Sequence, residues 1–167
     1  MRSGTAVCGV LTVAILILMA PAWWVTAQDE APVLTGRIAF VCDEDNNPGD
    51  IYVMDVGGTN RARLTNDRAY DGHPSWSPDG EELAFWSQRA NDPGDIYTMQ
   101  ANGQGVMRLT RHPASDSLPA WSPDGTRIAF VSARDNNPGD IYVMNTDGTE
   151  PVRLTDDPLL DTQPCWS

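Results

Sequence analysis

Short apolar runs, each closed off by turn residues, recur from residue 37 to the end of the chain. Arg37-Ile38-Ala39-Phe40 leads to the turn signal Asn47-Pro48-Gly49-Asp50, then to Ile51-Tyr52-Val53-Met54, then to Gly58 and Arg63-Leu64-Thr65. Runs of this length, rich in β-branched and aromatic residues and bounded by Pro and Gly, predict short strands. No stretch after residue 36 keeps a 3.6-residue period over helix length. The pattern also repeats. Asn46 to Met54 returns almost unchanged at 136–144 and more loosely at 91–99, while Trp76, Trp121 and Trp166 share the same 45-residue interval, as do the Leu-Thr pairs at 64, 109 and 154. Self-similarity at this period marks one supersecondary unit stacked on copies of itself.

Each unit reads as a four-stranded antiparallel meander. The first strand ends at the tryptophan. Pro123-Asp124-Gly125 after Trp121, and Pro78-Asp79-Gly80 after Trp76, form a tight structural turn, taken as type I with a glycine bulge. Arg127 to Ser132 is the second strand. Asn137-Pro138-Gly139-Asp140 is expected to be a type II turn with Gly139 at positive φ. Ile141 to Met144 and Val152 to Thr155 complete the unit. Because Ile51-Tyr52-Val53-Met54 is apolar at consecutive positions, both faces of that strand must be covered, whereas a sandwich with one wet face would alternate. A small sheet covered on both sides by its own copies is a propeller blade, and about 45 residues in four strands is a blade's length. A tandem-hairpin solenoid would need shorter units. The expected fold is therefore all-β, with three propeller blades over residues 36–167, starting in strand two (Arg37 to Phe40) and ending in strand one (Pro164 to Ser167). Trp121 and Phe130 are expected in its core.

Residues 1–27 stand apart. Arg2 supplies a positive start, Thr5 to Met19 an apolar stretch, and Val25-Thr26-Ala27 the small residues of a secretory cleavage site. The alternative is an uncleaved N-terminal anchor, since about 20 apolar residues suffice to cross a bilayer. Residues 28–35 read as a linker. This predicts export to a periplasmic or extracellular location, with membrane contact only through 1–27. With 23 Asp+Glu against 11 Lys+Arg, the net charge of −12 excludes nucleic acid as a partner and suits an exported soluble protein. Export allows disulfides. However, pairing Ala120 with Ile128 and Ser132 with Asp116 leaves the slots of Cys42 and Cys165 about four residues out of register, roughly 13 Å. Two unbridged, buried thiols are expected.

The string Trp-Ser-Pro-Asp-Gly at 76–80 and 121–125, followed by Ile/Leu-Ala-Phe, Asp-Ile-Tyr-x-Met, Gly and Arg-Leu-Thr, resembles the WD40-like repeats of TolB-type β-propellers. The resemblance covers residues 36–167. It implies a propeller; full members of that family carry six blades and a separate N-terminal α/β domain, and work in the periplasmic Tol–Pal system. That domain has no counterpart here. Three blades then imply a fragment of a longer array or, alternatively, a homodimer whose two halves exchange terminal strands to complete a six-bladed ring. Similar propellers also precede the catalytic domain of prolyl-oligopeptidase-type hydrolases, which makes a detached hydrolase propeller the alternative to a binding scaffold.

No nucleophile elbow, zinc-protease helix motif or phosphate-cradling glycine loop is present, so no catalytic residue is assigned. Asp43 to Asp50 has calcium-loop composition but lacks the sixth-position glycine and distal glutamate; no cofactor or metal is expected, and the segment reads first as a turn. Asp50, Asp95 and Asp140 recur in every unit and read as turn-closing groups; Asp71, Asp116 and Asp161, five residues before each tryptophan, likewise read as structural, bonding loop N–H groups. Meander topology sends the two-to-three and four-to-one loops to one end of the array, with both histidines, Tyr70 and the arginines at 68, 89, 111 and 134. Loops varying on a rigid scaffold are where binding usually sits. The candidate partner-binding face is accordingly Tyr70, Asp71, His73, Arg111, His112, Asp116 and Asp161. Its aspartates would make an acidic mouth that favours a cationic protein or peptide.

Overall fold

In the computed structural model, residues 35–44, 48–90, 93–135 and 138–167 are described. The expected signal or anchor segment, the linker up to residue 34 and the middle of the Asp43–Asp50 loop lie outside them. The apolar runs become strands β1 (Arg37–Cys42), β2 (Asp50–Asp55), β3 (Ala62–Arg63), β4 (Asp71–Trp76), β5 (Glu82–Ser87), β6 (Asp95–Gln100), β7 (Met107–Arg108), β8 (Asp116–Trp121), β9 (Arg127–Ser132), β10 (Asp140–Asn145) and β11 (Val152–Arg153). They form three antiparallel sheets in sequence order: β1-β2-β3, β4-β5-β6-β7 and β8-β9-β10-β11. Among the described residues the first sheet has no inner strand. Residues 154–167 contain no strand.

Apolar side chains on both faces of a strand need a neighbour on each side. One core therefore forms at each junction between sheets. Between the first and second, Ile51, Val53, Leu83, Phe85, Tyr97 and Met99 meet, with Ala39, Leu64 and Trp76 at the edge. Between the second and third, Ala84, Ile96, Leu109, Trp121, Ile128, Phe130, Tyr142 and Met144 do the same. Phe130 is fully buried and Trp121 is 9% exposed, as their slots predicted. Adjacent inner strands also touch directly, since the Trp121 N–H donates to Ser75 Oγ at 3.2 Å. On the outer side, Gly103 and Gly148 come so close to the preceding blade that an added Cβ would lie 2.8 Å from Leu64 O and 2.6 Å from Leu109 O.

The Ser-Pro-Asp-Gly turns are as expected. Gly80 and Gly125 take φ of 72° and 73°, and their N–H groups donate to Ser77 O and Ser122 O at 2.9 and 3.0 Å. Three expectations change. Ala120 pairs with Ala129, and Trp121 with Ile128, because a bulge between Ser117 and Ala120 inserts one residue; Asp116 does face Ser132. The bulge recurs in β4, and His73, Leu118 and Gln163 share a left-handed φ of 52–57° in that slot. Gly139 is not among the glycines at left-handed φ, although Gly49 and Gly94 are, at 145° and 115°. The type II reading of Gly139 therefore fails, and close packing explains its glycine: a Cβ there would meet Leu160 Cδ1 at 2.8 Å and Val131 Cγ1 at 2.9 Å. Finally, Cys42 and Cys165 are free thiols, but Cys42 is only half-buried and Cys165 is exposed, since the sheet that would cover them is incomplete.

Two mutations test this packing. Trp121→Ala should lower unfolding free energy by about 3–5 kcal/mol, read from the urea midpoint; an unchanged midpoint would contradict the junction core. At Gly94 a Cβ would sit 1.9 Å from Trp86 Nε1. Gly94→Ala should therefore cost about 1–3 kcal/mol as an overpacked site. Gly139→Ala should cost less, because its φ is outside the left-handed region and the exposed end of Leu160 can swing away; the reverse order would show that Leu160 and Val131 cannot yield.

Candidate functional site

Backbone register puts the heads of β2, β4, β6, β8 and β10 at one end of the blades, where Cys42 faces Asp50, Ser87 faces both Asp71 and Asp95, and Ser132 faces both Asp116 and Asp140. Each of those five aspartates is buried. Carboxylates so far from water need a cation and donors around them. Strand four provides one set: Arg63, Arg108 and Arg153 pair with Asp50, Asp95 and Asp140, the last at 2.7 Å. Two residues on, Thr65 and Thr110 donate to Asp50 and Asp95 at 3.1 and 3.0 Å, while their hydroxyls, with that of Thr155, accept the N–H of Ile51, Ile96 and Ile141. The recurring aspartates thus clasp strand three to strand four.

The second set belongs to the inner strands. Arg89 donates to Asp71 at 2.7 Å and to Ser87 Oγ at 2.9 Å; Arg134 donates to Asp116 at 2.9 Å and to Ser132 Oγ at 2.7 Å. Both guanidinium groups lie over a Phe/Tyr pair, Phe85 with Tyr97 and Phe130 with Tyr142. Asp71 and Asp116 are therefore internal, and Arg89 and Arg134 are taken up by them. The acidic mouth is corrected accordingly: these two carboxylates face arginine, not a partner.

Other candidates do reach the surface. Tyr70 is half-buried, its ring 5.5 Å from that of Trp86, and His73 is exposed, its ring 6.1 Å from Trp86. Desolvation holds the His73 pKa below its ordinary value, favouring the neutral ring. Beside them opens a cleft of about 560 Å³, lined by Pro48, Asp67, Arg68, Tyr70, Gln88 and Arg89. Asp67 pairs with Arg89 at 3.1 Å. Arg68 is exposed and has no ion pair or hydrogen bond among the described residues. Arg111 is exposed in the next loop, and His112 there accepts the Ala114 N–H on Nδ1 at 3.2 Å. Among the described residues no ring contact or hydrogen bond joins Arg111 or His112 to the Tyr70 cluster. Asp161 is half-buried near the C-terminus. Trp86 was missed because its slot holds Val41 and Val131 in the other units; an aromatic breaking an aliphatic slot was the available signal. No three of His, Cys, Asp and Glu converge as a metal site among the described residues, and none of their helices could cross a membrane.

The chain belongs to the TolB beta propeller domain family, whose model matches residues 17–117. It is similar to the Tol-Pal system protein TolB of Geobacter sulfurreducens, 45% identical over 58 residues that make up 35% of this chain and 13% of that protein. The crystal structure of TolB from Acinetobacter baumannii matches with a TM-score of 0.70 at 24% identity, covering 79% of this chain and 33% of that one. A TolB-type structure from Agrobacterium tumefaciens gives 0.64 at 27% identity, covering 70% and 44%. The chain thus spans less than half the length of the relatives it matches.

The opposite end of the blades carries a testable proton linkage. Asp124 accepts from Ser122 Oγ at 2.6 Å, then from the N–H and hydroxyl of Thr126, and these bonds, in that order, pull its pKa from 3.8 to about 2. A depressed carboxyl stabilises the fold above its unfolded pKa and stops doing so as pH falls through the folded value. The urea-midpoint gap between the wild type and Asp124→Ala should hold at neutral pH, shrink below 3.8 and close near 2. A gap of constant size across that range would show that the turn is indifferent to the charge.

Proposed function

We propose that this TolB-family chain is an exported, non-catalytic propeller scaffold that binds a protein or peptide segment at its loop end. The observation that carries the reading is the cleft lined by Tyr70, whose ring packs against Trp86, and by the exposed guanidinium of Arg68, which is unengaged among the described residues. The five fully buried aspartates at that end are each met by arginine, and within the cleft Arg68 is the charge with no ion pair among the described residues. A peptide with an apolar side chain next to a carboxylate fits this chemistry. The relatives named as Tol-Pal system proteins support a role in an envelope protein assembly, with residues 1–27 directing export to the periplasm. Propellers close with four to eight blades, and two copies of this array would make six.

Fluorescent hexapeptides built around one Phe or Leu, with flanking charge varied, test the site. Acidic peptides should bind more tightly than basic ones. Arg68→Glu combined with His73→Asn should weaken acidic-peptide binding at least tenfold, roughly 1.4 kcal/mol, without moving the thermal midpoint, since both side chains are exposed and Asn tolerates the left-handed φ. Asp79→Ala or Asp124→Ala should lower stability and leave binding alone. Loss of binding only in the latter pair would put the functional face at the wrong end.

A further inference from the structure

We propose that the Tyr70 cleft takes a free chain end: the α-carboxylate of a partner's C-terminal residue pairs with Arg68, and the apolar side chain of that residue lies on the Tyr70 ring. The inference rests on the peptide-binding cleft proposed above and narrows its ligand to one chemical feature.

Comparison of the copies separates what the blade needs from what this cleft adds. Pro48, Ala69 and Arg89 return as Pro93, Ala114 and Arg134 one unit on, so they belong to the common fold. Four neighbours do not return: Arg68 stands where the other copies hold Pro113 and Pro158, Tyr70 where they hold Ser115 and Leu160, Gly72 where they hold Ser117 and Thr162, and Gln88 where they hold Asp43 and Ala133. A loop proline stabilises a fold by restricting the unfolded chain. This loop forgoes it for an exposed guanidinium with no ion pair among the described residues. The Tyr70 ring is held still by its surroundings. A Cβ added at Gly72 would lie 2.4 Å from that ring and one at Gly49 2.8 Å from it, and Trp86 packs against it at 5.5 Å. Glycine at 72 thus lets the ring lie against the backbone, an apolar wall that needs no ordering when a ligand arrives.

Asp67 sets the charge of the cleft. Its Oδ1 accepts the Ala69 N–H at 2.7 Å and its Oδ2 faces Arg89 Nε at 3.1 Å, while the buried Asp71 holds Arg89 from the other side. The second guanidinium of the cleft is therefore matched by acids of the chain itself, which leaves Arg68 to pair with one carboxylate. An internal acid on the ligand meets a geometric obstacle. Successive side chains of an extended segment point to opposite faces. An acid beside an apolar residue then sends its carboxylate away from the face that meets Tyr70. An acid two residues on regains that face but requires more of the partner to be ordered. A C-terminal residue has no such conflict, because its side chain and α-carboxylate branch from one Cα and enter together. Gln88 lines the same cleft, tied by its N–H to Tyr70 O at 3.2 Å, and its exposed amide offers a donor and an acceptor to the last peptide group of the ligand.

The test uses the full chain and hexapeptides labelled with fluorescein at the N-terminus, read by polarisation. Ser-Gly-Ser-Gly-Ser-Phe as the free acid should bind, and the same peptide with a C-terminal amide should bind more weakly by about tenfold or more. Arg68→Gln should bring the two forms to the same affinity without moving the thermal midpoint. Exchange of the final Phe for Gly should weaken the acid form. A third probe, amidated, carries an internal Phe with a Glu two residues away. Binding of that probe as tightly as the free acid, lost in Arg68→Gln, would overturn the chain-end inference and leave the acid-binding cleft standing. Equal binding of the acid and amide forms to the wild type would overturn the inference, as would a preference for the acid that persists in Arg68→Gln. No binding by any probe would overturn the inference and the cleft reading together.

Discussion

Carboxylates withdrawn from water at the loop end, two to a complete blade, impose the strictest requirement on this fold. A buried charge without a partner is strongly destabilising, and removing one member of such a pair typically costs about 3–5 kcal/mol. Each carboxylate must therefore be met by an arginine from another strand, and the register of the blade follows from that meeting. The outer strands show why this matters. β3, β7 and β11 are two residues long and offer two register pairs each to the neighbouring strand. Arg63 and Thr65, with their equivalents, add side-chain ties to Asp50 and to the N–H of Ile51, anchoring an outer strand too short to hold by its ladder alone.

With one end of each blade locked by charge, the middle is left to apolar contact. Hydrophobic burial is non-directional, and a stack held by it alone could slide. Gly103 against Leu64 and Gly148 against Leu109 remove that freedom, because the backbone of one blade fits under the turn of the next with no room for a side chain. The charged clasps set register within a blade, and these close approaches set it between blades.

Much of this was legible in the sequence, and the misses have physical causes. The strands, their order, the incomplete first sheet and the end to which the loops project all follow from the 45-residue period and the turn chemistry. The roles of Asp50, Asp95 and Asp140 did not, because their partners lie thirteen residues away at Arg63, Arg108 and Arg153. Local reading supplies a turn before it supplies a distant arginine. Asp71 and Asp116 read as structural groups as well as candidates for the binding face, but their partners Arg89 and Arg134, eighteen residues away, were illegible for the same reason. Gly139 was misread because turn rules weigh φ, while its position is set by Val131 and Leu160. The β-bulge left a faint trace: nothing marks His73, Leu118 and Gln163 as residues at positive φ, a conformation usually reserved for Gly, Asn or Asp.

Repeats also sharpen inference where they fail. A slot filled identically in each copy is explained by the blade, so a departure needs a cause outside the common fold. Trp86 interrupts a valine slot and builds the aromatic wall beside Tyr70. Glu44 interrupts an arginine slot, and Arg61 returns the cation to the same ring pair from a different strand. Restoring a guanidinium over Phe40 and Tyr52 keeps the ring pair of the first sheet covered as in the other two, although no inner strand pairs with β1 among the described residues. The ring contacts give Arg61 some value of their own, about 0.5–1 kcal/mol at an exposed site. That gain would arise equally from an arginine at position 44. What the shifted arginine adds is an acid neighbour at 44 that holds the guanidinium in place.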